Sequence, residues 1–142
     1  MKILRPTSEE ACRMMIMLRP LLQPAIDRTL GEITIADVYA MVFNQAAQVW
    51  LVYDEEKERT IGAAVTEITQ YPGLKALRVF LLGGKRMAEW KDLLDEHFGD
   101  FCELEGITRI EVVGRKGFLV ALADMGYNLA YTVLTKEIVH HG

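Results

Sequence analysis

The segment FLLGGKRMAEW, residues 80 to 90, joins two glycines to two cations where a helix is predicted to begin. Gly83 and Gly84 would let a ligand approach the backbone, because glycine has no side chain in the way. A helix start exposes unpaired amides and a partial positive charge, to which Lys85 and Arg86 would add. Phosphate groups bind at such places. A plain strand-to-helix turn with solvated cations remains the alternative.

The rest of the sequence limits the classes of ligand that could bind at this turn. Neither G-x-x-x-x-G-K-[ST] nor G-x-G-x-x-G occurs, which argues against a nucleoside triphosphate or a dinucleotide. Cys12 and Cys102 are far apart and have no Cys or His neighbours in a metal-ligand spacing. They are interpreted as free thiols, and no metal site is predicted.

The elements before the turn are predicted from periodicity and caps. A short strand at 2–5 precedes a helix that begins at the capping box of Thr7 and Glu10. Pro20 and Pro24 are expected to break or bend this helix, because proline lacks an amide donor. Thr34 caps a second helix.

Three strands follow, at 49–54, 61–70 and 76–82, with short connections that favour an antiparallel meander. The apolar spacing from Met87 to Glu105 predicts a long amphipathic helix.

The predicted strand at 108–114 completes a strand–helix–strand unit, so it should lie parallel to 76–82 and separate from it near residue 82. A helix at 116–126 and a final strand at 129–139 end the order.

Composition excludes several classes of protein. The 142 residues are expected to form one domain, 1–142, of ordinary globular composition. A net charge of −4 implies no general affinity for nucleic acid or acidic lipid. No apolar run is long enough to cross a membrane, and the first ten residues lack a signal-peptide core, so a cytoplasmic protein is expected.

The order of elements, with a glycine-rich turn after the fourth strand, resembles the GNAT superfamily of N-acetyltransferases over essentially the whole chain. LADMGY, residues 122 to 127, is similar to the end of the family's last helix. LRVFLLGGKRMAEW followed by RIEVVGRKGF looks like the compact GNAT-like proteins that bacteriophages encode, which would place the protein in the host cytoplasm. The fold implied is α/β (α+β), a mixed, mostly antiparallel sheet with helices on both faces.

In that family the turn after the fourth strand holds the pyrophosphate of acetyl-CoA. The resemblance therefore implies acetyl-CoA as co-substrate, with its pantetheine arm in the slot between the separating strands. The implied cofactor-binding residues are Phe80, Leu81, Leu82, Gly83, Gly84, Lys85, Arg86 and Met87. Arg115 opens the last helix and is expected either to reach the cofactor's phosphates or to stay solvated.

The sequence also departs from the family pattern. LLGGKRMA keeps glycines but not the Q/R-x-x-G-x-G/A motif. Leu122 stands where many members have a tyrosine that protonates the leaving thiolate, and leucine cannot donate a proton. The fourth strand carries no carboxylate for a general base. Amine attack on a thioester still depends mainly on orientation and on oxyanion support by backbone amides.

Two residues are candidates for the acceptor side. Glu67 on AVTEITQ is the predicted catalytic carboxylate, which would deprotonate an amine directly or through water. Its alternative is a strand glutamate that faces solvent. Tyr71 is the predicted substrate residue, or else it stabilises the turn before Pro72.

The predicted function is acetyl transfer from acetyl-CoA to an amine, on a small molecule or a protein, whose identity the sequence leaves open. The alternatives are a catalytically inactive binding or regulatory module and a virion-associated structural protein on the same fold. A homodimer is expected if the strand at 129–139 forms an exposed edge.

Overall fold

A computed structural model describes residues 1 to 140. The strands are β1 (Lys2–Leu4), β2 (Gln48–Asp54), β3 (Arg59–Gln70), β4 (Lys75–Gly84) and β5 (Arg109–Val112). The helices are α1 (Ser8–Arg13), α2 (Met15–Asp27), α3 (Ile35–Phe43), α4 (Met87–Glu105) and α5 (Gly117–Leu122), the last extended by a 3-10 turn (Ala123–Met125).

The five strands form one sheet in the order β1-β2-β3-β4-β5. β1 to β4 pair antiparallel with their neighbours, and only β4 and β5 are parallel. The predicted meander and the predicted parallel pair are both confirmed. The long helix α4 connects the two parallel strands, as a parallel pair requires a crossover.

Helices cover both faces of the sheet, as predicted. α1, α2 and α3 pack on one face over Val49, Leu51, Ala63, Val65 and Leu81. α4 packs on the other face through Trp90, Leu94, Phe98 and Phe101, together with Leu122 beside it. Gly106 ends α4 in the left-handed conformation, with φ 68°. No helix within residues 1 to 140 has the length and apolarity needed to cross a bilayer.

The helix was predicted to break or bend at the prolines: the break does not occur, and the bend stays a prediction. The first helix ends at Met14 instead, and α2 runs through Pro20 and Pro24 to Asp27. The two prolines are four residues apart, so they share the exposed side of α2, where water can bond the freed carbonyls. Leu18 and Leu22 are fully buried on the opposite side, and this packing outweighs the lost backbone bonds.

The predicted final strand is also wrong. Residues 127 to 140 form neither helix nor strand, and large apolar side chains from Leu129 to Val139 are exposed. An alternating pattern shows only that a segment suits a sheet, and a strand forms only where a partner strand bonds its backbone. β5 pairs over just four residues and takes no second neighbour within the described chain.

Candidate functional site

A gap opens between β4 and β5. Their pairing runs from Ala76 opposite Arg109 to Val79 opposite Val112. The amide of Val113 donates the last bond, to the carbonyl of Val79 at 3.0 Å. From residue 80 onward β4 keeps only its pairing with β3. The separation predicted near residue 82 is therefore present and begins directly after Val79.

A bulge in β4 lies where the gap starts. Val79 is opposite Thr66 and Leu81 is opposite Val65, so Phe80 is the extra residue. A bulge bends its strand and re-aims the residues beside it. Phe80 and Leu81 both contact the cluster under α1 to α3.

Backbone groups of β4 face the gap. The amide of Lys85 donates to the carbonyl of Ile61 at 2.9 Å, so it points towards β3. Because backbone groups alternate sides along a strand, Gly84 and Leu82 direct theirs away from β3. That side is where β5 no longer pairs. An extended ligand lying in the gap would find sheet-like hydrogen-bonding partners there.

The start of α4 supplies free donors at the end of the gap. Within residues 1 to 140, the amides of Arg86, Met87 and Ala88 donate to no protein acceptor. They belong to the first turn of a 19-residue helix, where the helix dipole favours negative charge. The arrangement suits an anion of phosphate size. The amide of Lys85, which the sequence included in this set, is already bonded to Ile61.

Packing alone requires both glycines of the turn. A Cβ on Gly83 would lie 2.1 Å from the carbonyl oxygen of Leu21 in α2. Gly84 has φ +131°, and its Cβ would lie 2.3 Å from the oxygen of Ile61. The pair of glycines therefore does not by itself indicate a ligand. The free amides and the open edge of β4 remain as the observations that do.

The two cations of the turn have different surroundings. Lys85 is exposed and makes no ion pair or side-chain hydrogen bond in the described part of the chain. Arg86 donates from Nη1 to Asp54 Oδ2 at 2.7 Å and from Nε and Nη2 to Glu89. The hydrogen bonds with Glu89 and then with Asp54 raise the pKa of Arg86. Lys85 is thus the cation available to a ligand.

A row of charged side chains crosses three strands next to the gap. Glu67 on β3 is opposite Arg78 on β4, which is opposite Glu111 on β5. Arg78 Nε lies 3.5 Å from Glu67 Oε1. Alternation from Val65 places the row on the face that carries α1 to α3. The Glu67 side chain is 33% exposed, so it is partly covered and paired with Arg78.

Tyr71 contacts the same row of charged side chains. Its hydroxyl donates to Glu111 Oε2 at 2.9 Å, and the Glu111 side chain is only 15% exposed. This hydrogen bond, and then burial, raise the pKa of Tyr71, so the phenol keeps its proton. Sequence reasoning missed Arg78 and Glu111. The signal that could have identified them is the strand register that aligns them. The sequence predicted the strands but not which residues lie opposite each other.

The remaining sequence candidates lie elsewhere. Arg115 holds its guanidinium 6.0 Å from the ring centre of Phe118 and forms no bond to the glycine turn within residues 1 to 140. Leu122 is buried and lines a cavity of about 20 Å³ under the gap. Tyr127, near that cavity, donates its hydroxyl to Asp95 Oδ1 at 2.6 Å, and burial raises the pKa of this phenol.

Another cavity lies away from this site. It has a volume of about 280 Å³ and lies where β2 meets α1 and α3, with Arg5, Ser8 and Gln48 among its lining residues. It contains no carboxylate and no residue of the glycine turn. No group of three or more His, Cys, Asp or Glu side chains within residues 1 to 140 is arranged to hold a metal ion.

Comparison by sequence finds no relative: no family model and no curated protein matches the chain. Comparison by structure finds many. A probable acetyltransferase superposes with a TM-score of 0.73 at 15% identity, covering 99% of this chain and 100% of its own. The ribosomal-protein-alanine N-acetyltransferase of Brucella melitensis biovar Abortus 2308 has a TM-score of 0.73 at 12% identity, covering 97% of this chain and all of its own.

A predicted acetyltransferase of Clostridium acetobutylicum, solved with acetyl-CoA, has a TM-score of 0.69 at 11% identity. That match covers 96% of this chain and 95% of the other. At such identities the matches establish the fold alone. The predicted GNAT-like fold, a mixed and mostly antiparallel sheet with helices on both faces, is confirmed.

Proposed function

We propose that this chain, which has the fold of the GNAT acetyltransferases, transfers an acetyl group from acetyl-CoA to an amine. One observation carries the proposal: the open edge of β4 leads directly to three unpaired amides at the start of α4. A linear thioester with a pyrophosphate at its far end matches both features. The acetyltransferase of similar fold that was solved with acetyl-CoA supports this choice of co-substrate.

The chain's own residues would hold acetyl-CoA along this path. Backbone groups of Leu82 and Gly84 would bond the pantetheine arm, because they face the gap. The amides of Arg86, Met87 and Ala88 would bind the pyrophosphate, and Lys85 would add positive charge. Of the other residues predicted from the sequence, Phe80, Leu81 and Gly83 would shape the path, and Arg115 keeps a predicted role in phosphate binding.

In the reaction, the amine nitrogen attacks the thioester carbonyl, the new C–N bond forms and the C–S bond breaks. The nitrogen loses one proton and the leaving thiolate gains one. Glu67 is proposed to accept the amine proton, directly or through water, because it lies opposite Arg78, the residue of β4 just before the last one paired with β5. Tyr71 and Glu111 would line the acceptor side.

A second function is favoured by a specific observation. A binding or regulatory module that holds acetyl-CoA without turnover fits the residue at position 122, which is a leucine and cannot donate a proton. Leu122 is buried where the family often has tyrosine, and the hydroxyls of Tyr127 and Tyr71 are bonded to carboxylates. The thiolate would then have no proton donor at position 122.

Other expectations stay predictions of the sequence. They are the bacteriophage origin, the cytoplasmic location and the identity of the amine. The homodimer also stays a prediction, but the strand at 129–139 on which it was based is not present.

Binding and turnover can be tested separately. Calorimetry with CoA and with acetyl-CoA should show binding at one site, and release of free thiol should depend on an added amine. A panel of amines should include a peptide N-terminus, a lysine peptide, a polyamine and an aminoglycoside. Binding without amine-dependent thiol release would favour the regulatory module. Absence of binding to either nucleotide would refute the proposal.

A further inference from the structure

Arg86 has an unusual backbone conformation for its residue type. Its φ of 61° and ψ of 37° lie in the left-handed region, which non-glycine residues adopt only when their surroundings hold them there. The residue is the N-cap of α4, so its conformation sets the direction of the first free amides. The contacts that keep Arg86 in this conformation therefore also fix the amides that are proposed to bind phosphate.

Asp54 is the buried partner that holds it. The residue ends β2, its side chain is only 6% exposed, and its Oδ2 accepts from Arg86 Nη1 at 2.7 Å. Its other oxygen, Oδ1, accepts from the amides of Glu56 and Lys57 at 3.1 and 3.3 Å. The carboxylate is thus fixed by the β2–β3 hairpin and joins that hairpin to the start of α4. A buried carboxylate requires such pairing.

The charges in this cluster argue against direct contact between Arg86 and a phosphate. All three guanidinium nitrogens are bonded to Asp54 or Glu89. One guanidinium between two carboxylates has a net charge of −1, which would repel an anion rather than attract it. The unpartnered Lys85 and the free amides supply the positive potential instead.

We infer that Asp54 and Arg86 act as one positioning unit for the anion-binding turn, with no contact to the ligand themselves. The inference rests on the proposed function for the nature of the ligand. The salt bridge keeps Arg86 in its left-handed conformation, and this conformation directs the amides of Arg86, Met87 and Ala88 outward. Arg86 was predicted from the sequence as a cofactor-binding cation, and the inference gives it a different role.

Two pairs of variants separate positioning from direct contact, with the dissociation constant of CoA measured by calorimetry. Asp54→Asn should weaken binding, because the unit is broken. If Arg86 contacted the phosphate directly, the same change would release the guanidinium and tighten binding. Asp124→Asn is the matched control, because Asp124 pairs with Lys91 and makes no hydrogen bond or ion pair with Arg86 or Asp54.

The two variants of the second pair differ from each other by one methyl group, at residue 86. Asp54→Asn with Arg86→Gly removes both charges but lets residue 86 keep a positive φ, whereas Asp54→Asn with Arg86→Ala does not favour it. If Arg86 acts by positioning, the double variant with glycine should bind CoA about five- to thirtyfold more tightly than the one with alanine. This ratio corresponds to the free energy that a non-glycine residue loses in the left-handed conformation. Equal affinities, or tighter binding by Asp54→Asn alone, would overturn the inference.

Hydrogen exchange gives a readout that does not need the ligand. The amides of Lys85 and Glu89 are bonded to the carbonyls of Ile61 and Arg86, each at 2.9 Å. Their exchange should accelerate in Asp54→Asn and in the double alanine form, and less in the glycine form. Unchanged exchange would reject the positioning unit even if CoA failed to bind the parent protein. Failure to bind with accelerated exchange would reject the proposed ligand and keep the unit.

Discussion

The hydroxyl of Tyr71 donates to the carboxylate of Glu111 at 2.9 Å, across the strand that carries Arg78. This bond connects the β3–β4 turn to β5, the strand that separates from β4 one residue later. Both side chains thus lie beside the gap in which an extended ligand is proposed to bind. The relationship makes Glu111 a second carboxylate, besides Glu67, near the proposed acceptor site.

Removal of the Glu67 carboxylate should slow turnover without changing CoA binding. Glu67→Gln is expected to reduce the rate by roughly a hundredfold or more, the typical contribution of a general base. Thiol release at saturating acetyl-CoA measures the rate, and calorimetry measures CoA binding. Glu111→Gln is the informative comparison. If Glu67→Gln has no effect and Glu111→Gln does, the base is Glu111.

Lys85→Ala should weaken CoA binding and reduce its sensitivity to salt. Loss of one charge-assisted contact is expected to lower affinity by about tenfold. The parent protein should bind more weakly as ionic strength rises, because exposed charges are screened. Calorimetry at two salt concentrations measures both effects, with Lys136→Ala in the exposed tail as the control. Equal salt dependence in parent and Lys85→Ala would show that the lysine stays in solvent.

Gly83→Ala should destabilise the fold whether or not a ligand binds. The added Cβ would meet the Leu21 carbonyl at 2.1 Å, and overpacking of this kind costs about 1–3 kcal/mol. Gly73→Ala is the control, because no atom lies within 4 Å of the position that its Cβ would take and its φ is not positive. Urea unfolding compares the two. Equal stability would mean that α2 moves away from β4 at little cost.

Trp90 connects the core under α4 to the candidate site. The side chain is fully buried, and its indole donates to the carbonyl of Lys85 at 2.7 Å. Trp90→Ala should lower the free energy of unfolding by about 3–5 kcal/mol. Trp90→Phe keeps much of the volume but leaves the Lys85 carbonyl without its donor. Chemical denaturation should therefore rank the parent above Trp90→Phe and Trp90→Phe above Trp90→Ala, and the reverse order for the two variants would contradict this role.

Asp54 should make stability depend on acid pH. The hydrogen bond from Arg86 lowers the pKa of Asp54 below its usual value. The stabilisation is therefore complete above the unfolded-state pKa, near 3.9, and is lost as the pH falls through the lower folded-state value. Melting temperatures between neutral and strongly acid pH should fall less steeply in Asp54→Asn than in the parent. Parallel curves would show that the pair does not contribute to acid sensitivity.

Local patterns in the sequence were enough to predict most of the elements. The capping boxes at Thr7 and Thr34 are both formed, because their hydrogen bonds involve residues three apart. The apolar stripe of α4 predicted its length and its buried side, since a helix repeats its contacts every three to four residues. Short loops between long strands predicted the antiparallel meander, because a short loop can join antiparallel strands but not parallel ones.

The site itself depends on contacts that no local pattern contains. The bulge at Phe80 is a feature of the pairing between β4 and β3, two strands that meet only in the folded sheet. The row of Glu67, Arg78 and Glu111 exists only at one register of three strands. Arg86 was predicted to bind a phosphate, but its actual partner, Asp54, lies 32 residues earlier at the end of another strand.

The two wrong predictions have the same origin. Pro20 and Pro24 stay inside α2 because burial of Leu18 and Leu22 compensates for the missing donors. Residues 129 to 139 have a strand-like pattern but form no strand, because no neighbouring strand bonds them. The sequence by itself determined which segments can be helix or strand, since propensity and capping are local. Tertiary structure decided which segments bury their faces, which strands pair and which charges meet, because those free energies come from residues far apart in the chain.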